Sequence, residues 1–304
     1  MSRPHAYSVA SGPSFPGSAP TAHLTRRSAV TALAAAVAVP VLAGTARAAG
    51  HPSGPRPLRR THAHNDYEHT HPLFDALGHG FTSVEADIFL VDGQLLVGHD
   101  PTELDPSRTL ESLYLDPLHK LIRANHGSVY RGYRHPLQLL IDIKTEGAAT
   151  YLELDRHLVP YRHLFSSYAH GRVHTSAITA VVSGDRGART PMEAQQVRYA
   201  FYDGRLDDLG TAATASFIPL ISEAWTDHFT WTGAGPFPAA ERALLHDLVA
   251  RTHAGRRQLR FWATPDVAGP ERGALWRELY TAGIDWFNTD DLAGLEAFLR
   301  GHGA

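Results

Sequence analysis

The sequence contains no cysteine among its 304 residues. A disulfide framework and a cysteine-ligated metal site are therefore both excluded. Acidic and basic side chains nearly balance, with 28 Lys and Arg against 31 Asp and Glu, so the composition indicates no nucleic-acid partner. The apolar run at residues 29–44 is shorter than the ~20 residues that a membrane-spanning helix needs, and Pro40 interrupts it.

The first part of the chain is typical of an export signal. Arg26 and Arg27 precede the apolar run, and Ala46-Arg47-Ala48 forms a small-residue cleavage site after it. Adjacent arginines before the apolar core indicate the twin-arginine route. A membrane anchor that is never cleaved is the alternative. We predict a Tat-type signal peptide at 1–48, a Pro/Gly linker at 49–58 and a secreted, monomeric domain at 59–304.

From Arg59 onward, short apolar runs alternate with helix-like stretches, which predicts a parallel sheet with helices outside it. Eight strands in roughly 250 residues match the size of a (β/α)₈ barrel. A doubly wound sheet is the alternative, but no Gly-rich nucleotide fingerprint follows the first strand. We therefore predict an α/β fold, a single-domain (β/α)₈ TIM-type barrel. The predicted barrel strands are Arg60–His64, Thr82–Ile88, Leu137–Ile143, Ala177–Val182, Val197–Tyr202, Phe217–Ser222, Leu259–Ala263 and Ile284–Asn288, with an extra strand at Gln94–Val97. The predicted helices are Pro72–Gly78, Leu113–Asn125, Thr150–Leu158, Ala239–Thr252, Glu271–Ala282 and Asp291–Arg300.

Charged side chains gather where the predicted second and third strands end. Glu85 and Asp87 are two residues apart, so they share one face of a strand, and Asp142 and Lys144 do the same on the next strand. His99 follows in a loop at the same rim. Because the C-terminal ends of barrel strands form one face, we expect these groups to converge. Two carboxylates aimed into a barrel mouth repel each other unless a cation or a proton lies between them.

The order His-Asn, E-x-D, G-H-D and D-x-K resembles the phospholipase-C-like phosphodiesterase superfamily. This group includes the glycerophosphodiester phosphodiesterases and the phosphatidylinositol-specific phospholipases C. The nearest likeness is to the altered inheritance of mitochondria protein 6 family. The segments that carry it are "HNDYEHTHPLFDALGHGFTSVEADIFLVDGQLLVGHD" and "RTLESLYLDPL", with weaker matches in "LLIDIKT", "LRFWATPD" and "GIDWFNTDDL".

The resemblance implies a metal-dependent phosphodiesterase with one divalent cation, Mg²⁺ or Ca²⁺, and two-histidine acid/base catalysis on a small-molecule or lipid phosphodiester. Asn65 stands where the glycerophosphodiesterases have arginine. In the eukaryotic phosphoinositide enzymes this neighbour of the first histidine is an asparagine that binds calcium, so the alcohol groups of the substrate stay open. The roles implied are His64 and His99 as catalytic residues, Asn65, Glu85, Asp87 and Asp142 as metal ligands, and Lys144 near the phosphate.

An aromatic stretch follows the predicted sixth strand, between Glu223 and Pro238. In a barrel it is a loop on the catalytic face. We expect Trp225, together with Trp262 of "LRFWATPD", to bind substrate. We further expect Phe229 and Trp231 to hold a lipid-like substrate and to contact a membrane surface transiently. The alternative is that these aromatics pack as local core.

Two other functions fit part of the pattern. His62-Ala-His64 after the first strand is also how amidohydrolase-like metal-dependent hydrolases begin, which would make both histidines metal ligands with Asp290 as a further one. The predicted fifth and sixth strands, however, end without histidine. A secreted barrel that binds a ligand without turnover is the third reading, because a fold alone does not determine function.

Overall fold

The computed structural model describes residues 54–303, so the predicted signal peptide and the first part of the predicted linker lie outside the described residues. Within this range the chain forms twelve strands and eight α-helices. The strands are β1 (Leu58–Ala63), β2 (Phe81–Val91), β3 (Gln94–Val97), β4 (Leu137–Ile143), β5 (Ser167–Ala169), β6 (Arg172–His174), β7 (Ile178–Gly184), β8 (Val197–Arg198), β9 (Ala200–Gly204), β10 (Leu220–Ala224), β11 (Gln258–Trp262) and β12 (Phe287–Thr289). The helices are α1 (Phe74–Gly78), α2 (Asp116–Ala124), α3 (Gly147–Leu158), α4 (Arg189–Ala194), α5 (Trp225–His228), α6 (Ala239–Ala254), α7 (Pro270–Ala282) and α8 (Leu292–Gly301). None of the helices at 54–303 combines the length and the apolar character that crossing a membrane requires.

Eight parallel strands form a nearly closed barrel, in the order β11-β10-β9-β7-β4-β2-β1-β12. A parallel bridge between Arg260 and Trp286 links the two ends of this path. The prediction of a TIM-type barrel is therefore confirmed. The short strand β3 pairs antiparallel with β2, and β5, β6 and β8 form a separate small sheet.

Apolar side chains fill two layers. The larger lies between the strands and the helices and contains Val84, Ala86 and Ile88 of β2. A smaller cluster inside the barrel contains Leu140 and Val181. Because side chains alternate along a strand, the outward Val84, Ala86 and Ile88 leave the intervening charged residues of β2 facing inward.

The register across β2 and β4 positions the acidic residues. Asp87 pairs directly with Asp142, and Glu85 pairs with Leu140. Neighbouring strands of a sheet lie about 4.7–4.9 Å apart. The two aspartates are consequently neighbours at the C-terminal ends of their strands.

Apart from Leu137–Ile143, the bounds of the predicted barrel strands are shifted by one to three residues, and two of these shifts have a clear physical reason. The run Val197–Tyr202 is interrupted at Tyr199: its first two residues join the small sheet, and the barrel strand β9 begins at Ala200. The predicted strand at Phe217–Ser222 begins only at Leu220, after Pro219, since proline has no N–H to give to a sheet. Between β9 and β10 the described chain has a 3-10 turn at Leu206–Asp208 in place of an α-helix.

Candidate active site

Three carboxylates form one acidic group at the barrel mouth. Glu85 and Asp87 come from β2 and Asp142 from β4, and one oxygen of each lies within 4.8 Å of the others. Glu85 and Asp87 are buried, and Asp142 is half-buried. Buried like charges at this distance require compensation.

Two cations, the exposed Lys144 and the buried Arg260, supply part of that compensation. Nζ of Lys144 lies 2.9 Å from Asp87 Oδ2 and 2.9 Å from Asp142 Oδ1. Nη1 of Arg260, on β11, lies 2.8 Å from Glu85 Oε2. Each cation uses one oxygen of a carboxylate, so the second oxygen of each remains for another partner. Oδ1 of Asp87 is buried and has no hydrogen-bond partner among residues 54–303.

These residues fit a divalent cation. Three carboxylates with one lysine and one arginine leave a formal charge of −1, and a buried carboxylate oxygen without a partner is rarely tolerated. Carboxylate oxygens are hard ligands that both Mg²⁺ and Ca²⁺ accept, so the group does not select one ion. Asn65 lies at its edge, because the Tyr67 hydroxyl contacts both Asn65 Oδ1, at 3.1 Å, and Asp87 Oδ2.

The local environment gives the three carboxyl groups different pKa values. Burial and the neighbouring Glu85 raise the pKa of Asp87 to about 6. Burial also raises the pKa of Asp142. Burial would raise the pKa of Glu85 as well, but Arg260 and His62 outweigh it and hold that pKa well below the usual range. Glu85 is thus the permanently charged member of the group.

His64 follows β1 and pairs with an aspartate from the other end of the chain. Its Nδ1 lies 2.8 Å from Oδ1 of Asp290, which follows β12, and β1 and β12 are paired neighbours in the barrel. Burial opposes the charged imidazole, but Asp290 and Glu85 outweigh it, and the pKa of His64 is raised. Because Nδ1 faces Asp290, Nε2 is the nitrogen left to contact a substrate.

His99 is joined to the acidic group through Tyr67, a residue whose role the sequence interpretation missed. The Tyr67 hydroxyl lies 3.1 Å from His99 Nδ1 and donates to Asp87 Oδ2 at 2.7 Å. His99 Nδ1 is itself 3.5 Å from that carboxylate oxygen. The only signal in the sequence was the position of Tyr67, two residues after Asn65.

His62 is not available as a metal ligand, which removes the main support for the amidohydrolase alternative. It is fully buried, its Nδ1 lies 2.7 Å from Ser83 Oγ, and Nη1 of Arg260 lies 2.8 Å from both His62 Nε2 and Glu85 Oε2. Burial and Arg260 lower the pKa of His62 to about 4. The imidazole is therefore neutral, and its contacts with Glu85 and Arg260 fix the positions of these two side chains.

The structure contradicts substrate binding by Trp225. Its side chain is 1% exposed, stacks on Phe229 at a ring distance of 4.0 Å and donates from Nε1 to the Trp231 carbonyl oxygen. Phe229 and Trp231 are buried as well, so the expected lipid-binding surface is a packed cluster. These rings pack against Phe237 and against Phe261 of β11, and Glu241 of α6 accepts the backbone N–H groups of Thr230 and Trp231. Trp262, at the end of β11, is 38% exposed, and its role in substrate binding stays a prediction.

A model of the AIM6-like phosphodiesterase domain matches residues 56–203, the part of the chain that supplies His64, Glu85, His99 and Asp142. Altered inheritance of mitochondria protein 6 of Eremothecium gossypii is 27% identical over 281 residues, covering 79% of this chain and 69% of the relative. Its homologue in Arthroderma benhamiae is 26% identical, covering 78% and 82%, and the protein of Lachancea thermotolerans is 29% identical, covering 77% and 64%. The chain therefore carries an AIM6-like phosphodiesterase domain and is a distant homologue of the altered inheritance of mitochondria protein 6 family.

Proposed function

We propose that this protein is an exported, metal-dependent phosphodiesterase that cleaves a glycerophosphodiester or a phospholipid-type phosphodiester. The observation that carries the proposal is the convergence of Glu85, Asp87 and Asp142 on one point, with His64 and His99 at the same rim. Nothing about this arrangement depends on the aromatic segment after β10.

The charges of the site suit a monoanionic diester. The three carboxylates, Lys144 and Arg260 sum to −1, and a divalent cation brings the site to +1. When a phosphodiester with one negative charge binds, the formal charge of the site becomes zero. A bound divalent cation would neutralise the phosphate oxygens and stabilise the charge that gathers on them during the reaction. Glu85, Asp87, Asp142 and Asn65 would hold it.

The two histidines are suited to opposite proton transfers. Asp290 orients His64 through Nδ1 and raises its basicity, so His64 takes the proton of the attacking hydroxyl or water. His99, held at Nδ1 by Tyr67, donates a proton to the departing alkoxide. Acid and base groups of this kind each contribute about 10²–10⁴-fold to a rate.

Lys144 contributes a positive charge beside the cation site. Its ammonium lies between Asp87 and Asp142, and these two carboxylates outweigh burial and raise its pKa. It stays protonated at every pH at which the protein is folded and active. We propose that it contacts a phosphate oxygen once the cation shares the two aspartates.

A panel of phosphodiesters tests the function. The purified protein is incubated with glycerophosphodiesters, lysophospholipids and phosphatidylinositol, with chelator and with added Mg²⁺ or Ca²⁺, and phosphorus NMR identifies the products. We expect turnover of at least one diester with a cation and none in chelator. The product also shows whether water or a substrate hydroxyl attacks.

Matched variants separate catalysis from binding. His64→Ala and His99→Ala should lose turnover and keep the cation, whereas Asp87→Asn should lose both. His64→Ala also tests the amidohydrolase alternative, which requires this variant to lose the metal through a lost ligand; His62→Ala is less specific, because His62 also supports Glu85. A wild-type protein that binds the cation and turns over no diester in the panel would instead support a ligand-binding barrel.

A further inference from the structure

The barrel carries a basic surface on the side opposite the carboxylate mouth. Between Asp116 and Asp142 the chain has no acidic residue, and the same is true between Asp155 and Asp185. Both stretches lead into the N-terminal ends of strands, β4 in the first case and β7 in the second. The acidic group lies at the C-terminal ends of β2 and β4. Since all barrel strands are parallel, the two surfaces face away from each other.

Seven cations define this surface, which we call the basal face. All seven residues are exposed. Within the described part of the chain, no carboxylate oxygen lies within 4.0 Å of any of their charged groups. Arg156 is left out because it pairs with Glu153 at 2.7 Å. The seven are Arg59, Lys120, Arg123, Arg131, Arg134, Arg162 and Arg172.

The two stretches meet in space. A cleft of about 770 Å³ is lined by Arg131 and Arg134 from the first and by Thr175 and Ser176 from the second. The rings of His119 and His163, also one from each, are 5.2 Å apart. Arg59 shares a second cavity with Tyr133 of the first stretch. The two stretches and Arg59 are therefore neighbours at the same end of the barrel.

The rest of the molecule has the opposite charge. Residues 54–303 hold 24 Lys and Arg against 31 Asp and Glu, a net charge of −7 with His neutral. Apart from the seven basal cations, these residues hold 17 cations and 31 acids, of which Asp285 lines the cavity beside Arg59 and Asp116 accepts a hydrogen bond from Tyr161 of the second stretch. A protein that is acidic overall and concentrates unpaired cations on one side presents a directed field to an anionic partner.

We propose that the basal face docks on an anionic lipid surface. Two exposed valines lie among its cations: Val159 is 40% exposed, three residues before Arg162, and Val173 is 44% exposed, next to Arg172. Cations near apolar side chains suit a charged bilayer interface. A single-stranded nucleic acid would instead favour exposed Phe, Tyr or Trp rings for stacking, and none of these residue types is exposed in either stretch. Docking in this way leaves the carboxylate mouth directed away from the membrane.

Vesicle sedimentation tests the proposal without any enzymatic readout. The purified protein is mixed with vesicles of phosphatidylcholine alone, or of phosphatidylcholine and phosphatidylglycerol in equal amounts. We expect binding to the anionic vesicles only, and loss of binding at high salt because exposed charges are screened. Arg131→Ala/Arg134→Ala should weaken binding about 30-fold, since each cation near an anionic membrane contributes on the order of fivefold. Arg242→Ala/Arg277→Ala, which removes two exposed cations from the helices α6 and α7 and none from the N-terminal ends of the strands, is the matched control.

The absence of cysteine allows the orientation to be measured directly. Val173→Cys and Val267→Cys each place one thiol on the chain for an environment-sensitive dye. Val267 is 87% exposed in the segment after β11, on the side of the mouth. We expect the dye at 173 to move into an apolar environment on anionic vesicles and the dye at 267 to stay in water.

Several results would overturn the proposal. These are failure to bind anionic vesicles at low salt, equal losses in the two double variants, and a dye response at 267 in place of 173. Binding to heparin but to neither vesicle would identify the partner as a soluble polyanion. If Arg131→Ala/Arg134→Ala lowers the melting temperature, Lys120→Ala/Arg123→Ala on α2 tests the same face. None of these outcomes depends on whether the mouth cleaves phosphodiesters.

Discussion

The hydroxyl of Tyr67 donates a hydrogen bond of 2.7 Å to Oδ2 of Asp87. The same oxygen of Tyr67 lies 3.1 Å from Nδ1 of His99. One buried hydroxyl thus connects a carboxylate of the proposed cation site to a proposed acid/base group. Partners that orient the ligands of a metal commonly affect its affinity and the activity together.

We expect Tyr67→Phe to weaken cation binding about 10–100-fold and to lower kcat at saturating cation. The ring keeps its packing, so the melting temperature should change little. Calorimetry measures the affinity, and steady-state assays give kcat. Tyr130→Phe is the matched control, because it removes a buried hydroxyl that bonds the Phe81 carbonyl oxygen at 2.6 Å, outside the site. Equal behaviour of the two variants would exclude a positioning role for Tyr67.

A second prediction concerns Asp290 and the pH profile. A base must be neutral to act, so activity falls as the pH drops through the pKa of His64. Asp290 helps to raise that pKa. Asp290→Asn should therefore lower it, move the acidic limb of kcat/KM to lower pH and reduce the plateau on the order of 10²-fold. Asp291→Asn is the control: it removes the ion pair with Arg272 while an asparagine still caps α8, so it should not move the limb.

Most of the barrel strands could be predicted from the sequence because these strands are buried on both faces. Leu137–Ile143 has the predicted bounds, since every residue but Asp142 is buried and such a run reads as a continuous apolar segment. The sequence pattern also predicts one strand at Val197–Tyr202, but the residues of this run belong to two different sheets. Tertiary contacts determine which strand each residue pairs with, and the hydrophobic pattern of the sequence does not reveal a change of partner.

The acidic group could be predicted because its members are local pairs: a spacing of two residues fixes the shared face of a strand. Arg260 could not be predicted, because its contact with Glu85 joins positions 175 residues apart and depends on barrel closure. The aromatic segment was misread for a related reason. Its rings pack on Phe261 of β11, a tertiary contact that the local sequence pattern does not show.

Burial of the aromatic segment leads to a third prediction. Phe229→Ala/Trp231→Ala should lower stability strongly, since replacing a buried Phe or Trp by Ala costs about 3–5 kcal/mol each. Any loss of activity should be equal on a soluble short-chain diester and on the same head group in liposomes. Trp262→Ala is the contrasting variant: its side chain is 38% exposed, so the melting temperature should hold while KM rises. A selective loss on liposomes for the double variant would restore a lipid-contacting role.

Export is the fourth prediction, and it rests on the sequence. Twin-arginine signals are read as an address by a receptor, so Arg26→Lys/Arg27→Lys should leave the protein in the cytoplasm although the charge is unchanged. Cell fractionation and immunoblotting measure the distribution. Arg3→Lys, which lies far from the apolar run, is the control and should not alter export. Full export of the double variant would show that the arginines are not the signal.

The last prediction follows from the carboxyl of Asp87, whose pKa is about 6 in the cation-free site. Because this pKa is raised, the site holds a proton below about pH 6, and the proton must leave before the cation binds. Apparent cation affinity should fall about tenfold per pH unit below pH 6, as expected for one displaced proton, and level off above it. Calorimetric titrations between pH 5 and 8 measure this dependence, and the number of protons released gives an independent check.

A matched control is available for that dependence. Burial raises the pKa of Asp66 to about 7, but its Oδ2 accepts from the Leu73 N–H and the Tyr114 hydroxyl and does not face the cation site. Asp66→Asn should therefore preserve the pH dependence of cation binding. The same substitution should change the pH dependence of folding: a carboxyl with a raised folded pKa loses stability as the pH rises from about 4 to 7, and Asn removes this loss. If Asp66→Asn flattened the binding curve, the titrating carboxyl would be Asp66, and Asp87 would not control the cation.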